Sequence, residues 1–165
     1  MRLALFQPDI PQNLGAGVRL AACMGVPLEI IEPCAFPLSD RALKRTAMDY
    51  GAHVELIRRT SWTGFEAEAR KHGRRIVLFT TKGAEPLQRF VFAPDDILLF
   101  GRESAGAPDE VHAAADARLF IPIRPETRSL NVIVAAAMAL GEALRQTNGW
   151  PTTGCPEDDG IGELS

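Results

Sequence analysis

The chain has 165 residues, enough for one domain with a core of ordinary size. Its 46% apolar and 24% charged residues are the balance of a soluble globular protein, and the apolar run at residues 3–6 is too short for a signal peptide or a membrane span. The formal charge of −3 speaks mildly against a nucleic-acid partner, while Cys23, Cys34 and Cys155, with no CxxC spacing, argue for a reducing cytoplasm and against a disulfide framework.

In chain order, residues 2–7 read as a short buried strand. Pro8 and Pro11 make residues 8–13 a loop, because neither ring can donate to a ladder. Asn13 is expected to cap a helix over 14–24, with Leu14, Val18, Ala21 and Ala22 on one face. A strand over 28–31 precedes Glu32-Pro33, and a basic amphipathic helix with Arg41, Lys44 and Arg45 follows Ser39-Asp40. Further strands are expected at 53–57, 76–80, 97–100 and 118–121, with helices at about 64–72 and 108–115. Residues 151–165 hold Glu157, Asp158, Asp159 and Glu163 without a Lys or Arg, and read as a flexible acidic tail on a domain spanning 1–150.

The stretch from Phe120 to Gln146 carries the most information. It joins a strand end to a long helix through a polar loop containing Arg124, Thr127, Arg128 and Ser129, and Ser129 or Asn131 is placed to cap that helix. Residues 132–140 are apolar on every face, which predicts a buried helix. A polar mouth on such a helix suits a ligand, although a capped core helix reads the same way.

Strands and helices alternate throughout, so the expected class is α/β, a mostly parallel sheet with helices on both faces. Ligands of such sheets lie beyond the carboxyl ends of the strands, where three polar loops fall: 8–17, 101–108 and 124–131. Gly15-Ala16-Gly17 is not a dinucleotide fingerprint, because its third glycine would fall at Leu20 and the loop before it is too long. Gly101 permits close backbone approach and Glu103 offers a carboxylate to a cation or an arginine, or the pair is a plain glycine turn with a solvated acid. No Ser/His/Asp order is present, and His53, His72 and His112 lack metal-ligand spacing, so neither hydrolase chemistry nor a metal is expected.

Removing the four tail acids takes the body from −3 to +1, and 15 Arg stand against 3 Lys. Arginine is the residue that forks onto phosphates and stacks on bases, though a genome-wide bias explains the ratio equally well.

Asn13-Leu14-Gly15-x-x-x-Arg19, Leu99-Phe100-Gly101-x-Glu103-x-x-Gly106-x-Pro108 and Ile121-Pro122-x-x-x-x-x-Arg128-Ser129-Leu130-Asn131 stand in order along the chain. Together with Phe6-Gln7-Pro8, Ile30-Ile31-Glu32-Pro33, Asp49-Tyr50 and Thr80-Thr81-Lys82-Gly83, they resemble the SPOUT RNA ribose 2′-O-methyltransferases over roughly residues 1–150. The likeness is greatest to the small bacterial members acting on a wobble cytidine or uridine.

This resemblance implies a sheet whose carboxy-terminal segment is threaded into a deep trefoil knot, and a homodimer. It implies S-adenosylmethionine held at Phe79, Gly101, Ile121 and Ser129, with no metal. It gives catalytic roles to Asn13, Arg19, Glu103 and Asn131, with Arg19 reaching towards the partner's cofactor. The tRNA anticodon stem-loop would be the substrate, with Arg41, Lys44 and Arg45 on its phosphates; another tRNA position, rRNA, or a non-catalytic RNA-binding module are the alternatives. One departure is Gly141, where the wobble enzymes carry a tyrosine, and it bears on substrate choice.

Overall fold

The computed structural model describes residues 1–38, 50 and 53–152. The expected basic helix and its Arg41, Lys44 and Arg45 lie outside the described residues, as do residues 153–165 of the tail.

The elements are β1 (Arg2–Phe6), α1 (Pro11–Met24), β2 (Leu28–Ile31), β3 (Leu56–Arg59), α2 (Trp62–Lys71), β4 (Ile76–Phe79), β5 (Glu85–Pro86), a 3₁₀ turn (Leu87–Arg89), β6 (Ile97–Phe100), α3 (Asp109–Ala114), β7 (Ala117–Phe120) and α4 (Val132–Thr147). The strands form one seven-stranded sheet in the order β3-β2-β1-β6-β4-β7-β5. Every pair is parallel, with Leu5 opposite Phe100, Phe100 opposite Phe79, and Phe79 opposite Leu119. The carboxyl ends of β1, β6, β4 and β7 are therefore side by side.

Parallel strands covered on both faces need no polar alternation, which is why β6 (ILLF) and β4 (IVLF) are continuously apolar and fully buried. On one face Leu5, Leu98, Val77 and Leu119 pack with Leu14 and Val18 of α1 and with Ala136, Leu140 and Leu144 of α4. On the other, Ala4, Leu78 and Leu99 pack with Trp62 and Phe65 of α2 and Val111 of α3. The expected α/β sheet with helices on both faces is the observed one. Glu29 on β2 is buried and shared by Arg2 at 3.4 Å and Arg59 at 2.6 Å, so its charge is paired rather than stranded.

Three sequence expectations change. The helix α1 begins at Pro11, not Leu14; Ile10 occupies the cap position without a side-chain bond, and Asn13 is no cap. Proline is well suited to a first helical position, where its missing N–H would have no partner. The strand expected at 53–57 is Leu56–Arg59, at the sheet edge, where Arg58 and Arg59 are tolerated because Glu32 and Glu29 pair with them. The helix α4 is not buried all round: Val134 and Met138 are 49% and 46% exposed, although Ile133, Ala136, Ala139 and Leu140 are buried. One apolar face of α4 therefore meets solvent in the single chain.

Candidate functional site

Beyond the carboxyl ends of β1, β6, β4 and β7 lies a cavity of about 590 Å³, within the usual range for a small-molecule site. The three loops anticipated from sequence all contribute to its lining, through Ile10 and Asn13, through Gly101, Arg102 and Glu103, and through Ser129, Leu130 and Asn131. A fourth, Thr80–Lys82 after β4, completes the wall. Phe79 and Phe100 stack at the base with ring centroids 4.9 Å apart and planes 11° from parallel.

Two glycines let these loops approach. A Cβ on Gly101 would lie 2.5 Å from the carbonyl carbon of Gly106 and 2.7 Å from the nitrogen of Ala107, so no other residue fits there without moving backbone. The loop closes on itself through reciprocal 2.9 Å bonds between the backbones of Arg102 and Gly106, and Gly106 takes φ +67°. Gly83 is equally confined, with Leu119 backbone 2.5 Å from a notional Cβ; the adjoining Thr80 and Ala84 N–H groups donate to Leu119 and Arg118 carbonyls at 2.9 Å.

A chain of side-chain hydrogen bonds crosses the cavity wall. Asn131 donates from Nδ2 to Asn13 Oδ1 at 3.0 Å, and Asn13 donates from Nδ2 to Glu103 Oε1 at 2.9 Å. Asn131 also caps α4, its Oδ1 accepting from Ile133 N at 2.8 Å and Val134 N at 3.3 Å. Of the two cap candidates read from sequence, Asn131 is the one used and Ser129 lines the cavity instead. Burial pushes the Glu103 carboxyl above its ordinary value, with a further rise from Asp9, while hydrogen bonding to Glu103 is the largest cause lowering Asp9 to about 2.

Phe79, Gly101, Ile121 and Ser129, expected at a cofactor, all line this one cavity, as do Asn13, Glu103 and Asn131. Arg19 does not. Six residues beyond Asn13 on α1, it points about 120° away around the helix. There it donates to the Tyr50 hydroxyl at 2.9 Å with its guanidinium carbon 4.7 Å from the ring centroid. That hydroxyl raises the Arg19 pKa beyond its ordinary value.

Sequence reasoning missed Asp9, Gln7, Arg102 and His112. Gln7 adopts φ +46° directly after β1, and its Oε1 accepts from Nη2 of Arg102, which lines the cavity. The only signal was their position next to Pro8 and Gly101. Among the described residues no group of three or more His, Cys, Asp or Glu is placed to hold a metal, and no helix is long and apolar enough to cross a membrane.

A model of the SpoU rRNA Methylase family matches residues 1–141. A protein of Beijerinckia indica subsp. indica named tRNA (cytidine(34)-2'-O)-methyltransferase is 61% identical over 144 residues, covering 87% of this chain and 90% of the relative. One of Ancylobacter novellus with the same name is 49% identical over 154 residues, covering 93% and 98%. Among solved structures, one described as "Structural insights into the 2-OH methylation of C/U34 on tRNA" superposes with a TM-score of 0.82 at 44% identity, over 90% of this chain and 96% of that one. The SpoU methyltransferase AviRb of Streptomyces viridochromogenes, in complex with AdoMet, gives 0.77 at 25% identity over 88% and 60%.

Proposed function

This chain belongs to the SpoU rRNA Methylase family, and from that membership we propose that it methylates the ribose 2′-hydroxyl of the tRNA wobble nucleotide, cytidine or uridine, with S-adenosylmethionine as donor. The observation that carries the reading is the meeting of Asn13, Glu103 and Asn131 in one hydrogen-bonded chain on a cavity also lined by Phe79, Gly101, Ile121 and Ser129.

The cavity suits the donor. Its lining is mixed, with Phe79, Ile121 and Leu130 beside the closely approaching backbone of Gly101, the surface an apolar adenosine face and its polar edges require. Phe79, Gly101, Ile121 and Ser129 would hold it. When bound, S-adenosylmethionine supplies an electrophilic methyl group on a positively charged sulfur. The chain's own task is to bring a sugar oxygen into line and to stabilise the charge that develops there.

Glu103 contributes a carboxylate fixed by Asn13, which Asn131 fixes in turn. Arg19 acts as an anchor for phosphate and for the incipient oxyanion. A guanidinium whose pKa is raised further by Tyr50 holds its protons and does not serve as the base. Because Arg19 leaves its own cavity, it acts on the site of a second copy. The homodimer this requires is supported by Ile10, Leu130, Val134 and Met138, apolar and 37–49% exposed around the cavity mouth and along α4.

The trefoil knot belongs to the same proposal. Its support is the tight passage of residues 80–84 along the end of β7, immediately before the segment that continues into α4. Arg41, Lys44 and Arg45 are proposed as phosphate contacts on the anticodon stem-loop, giving salt-sensitive and sequence-blind affinity. Base choice then comes from unstacked loop bases read singly. A cytoplasmic location follows from the substrate.

Nucleoside mass spectrometry of tRNA from a deletion strain tests the reading. The wobble 2′-O-methyl nucleoside should vanish and return with the wild-type gene but not with Arg19→Ala, while purified Arg19→Ala still binds S-adenosylmethionine calorimetrically. Unchanged tRNA with a methyl group missing from rRNA would move the substrate. Weak cofactor binding with normal turnover in Arg19→Ala would remove its assigned role.

A further inference from the structure

We propose that Asp9 is a positioning residue for methyl transfer, acting through Glu103; the inference rests on the function proposed above. Asp9 lies between β1 and α1, outside the cavity lining, and 94 residues before Glu103. Its Oδ1 accepts from the Glu103 N–H at 3.2 Å, and its Oδ2 accepts from the Ser104 N–H at 3.2 Å and from the Ser104 hydroxyl. In return the Asp9 N–H donates to Glu103 Oε2 at 3.1 Å, leaving Oε1 to Asn13. Each carboxylate oxygen of the two acids thus has a named donor.

This arrangement is more than loop closure. The 101–106 loop is already closed by the reciprocal Arg102–Gly106 backbone bonds and by the confinement of Gly101. What the Asp9 carboxylate adds is a clamp on the backbone of Glu103 and Ser104, which seats the Glu103 side chain where the residue 9 N–H meets Oε2 and Asn13 meets Oε1. Two acids at this spacing repel when both are ionised, and a serine or asparagine would satisfy some of the same donors without that cost. Only a carboxylate offers two strong acceptors to three donors at once. The low Asp9 pKa agrees with Asp9 as the ionised anchor, while burial, and then Asp9, push the Glu103 carboxyl up.

A double-mutant cycle on the full chain, read by single-turnover methylation of tRNA, tests the inference with Asp9→Asn, Glu103→Gln and the pair. Asp9→Asn, nearly isosteric, should slow the methyl-transfer step roughly 10- to 100-fold while the tRNA KM and the melting temperature stay close to wild type. In a Glu103→Gln background the same change should cost almost nothing more, since residues acting as a unit are non-additive. Independent, multiplying effects would overturn the inference, as would a wild-type rate for Asp9→Asn or a loss that merely tracks unfolded protein. A wild-type chain that transfers no methyl group sinks the proposed function and this inference with it, whereas an active chain with an additive cycle sinks this inference alone.

Discussion

Asn131 and Asn13, 118 positions apart, meet through a 3.0 Å hydrogen bond, and the same Asn131 side chain caps α4 with its other atom. One residue therefore serves stability through Oδ1 and the site through Nδ2, and substitution can separate the two. Asn131→Ala removes both and should cost about 1 kcal/mol, or about 2–4 °C in melting temperature, along with methylation. Asn131→Asp keeps the cap acceptor and places a negative charge at a helix N-terminus, which favours it. It should melt at or above wild type yet lose methylation, because it no longer donates to Asn13. Equal activity in Asp and Asn variants would show that the Nδ2 bond is dispensable.

Glycine is obligatory at Gly101 in the site and optional at Gly141 in α4. Gly101→Ala drives a Cβ to 2.5 Å from Gly106 backbone, which cannot rotate away, so the loop has to open. Calorimetry should show S-adenosylmethionine affinity falling by about tenfold or more, equivalent to about 1.4 kcal/mol. Gly141→Ala meets only the Trp150 ring, at 3.7 and 3.9 Å, an ordinary contact within α4. It should stabilise the chain by about 0.5–1 kcal/mol with cofactor binding unchanged. A reversed order in the two variants would contradict the loop geometry.

Most of the sheet is legible because β4 and β6, buried on both faces, read as unbroken apolar runs, and β1 and β2 are apolar but for Arg2 and Glu29. At the edges this signal fades: β3 carries Arg58 and Arg59, and β5 is two residues long. Pro11 reads as a loop residue yet opens α1, which hides the freedom of Asn13 to face the cavity. The motif residues could be placed in one site from their order and the strand ends. Asp9 could not, since its role depends on donors from a loop 94 residues away. Nor could the exposed face of α4, where an all-apolar helix looks buried until one knows how many chains surround it.

That face gives the next prediction. Val134 and Met138 are one helical turn apart, and an apolar stripe of this kind favours a partner of like surface. Met138→Glu puts a charge into any interface formed there while leaving a solvent-facing position of the single chain unharmed. Light scattering should show the mass of wild type to be twice that of Met138→Glu, and under the proposed shared site the variant should lose methylation, since Arg19 of one copy would no longer reach the other's cavity. A wild-type monomer, or an active monomeric variant, would refute the shared site.

Cys34 is half-buried against the core, and its thiol is pushed up to about 11, first by burial and then by the charge of Glu32. The sign is that of an acid whose ionised form is disfavoured, so the thiol stays neutral at physiological pH and ionises only in strong alkali. At pH 8 roughly a thousandth of it is thiolate, the form that attacks an alkylating reagent. In a Cys155→Ser background, iodoacetamide should therefore modify exposed Cys23 first, while Cys34 resists until the pH nears 11. Substituting Glu32→Gln removes one of the charges holding the thiol up and should bring the Cys34 reaction to lower pH, read by mass spectrometry of the labelled peptides. Rapid labelling of Cys34 at neutral pH in the wild-type chain would mean that its surroundings are open to water and that the packing beside Glu32 is loose.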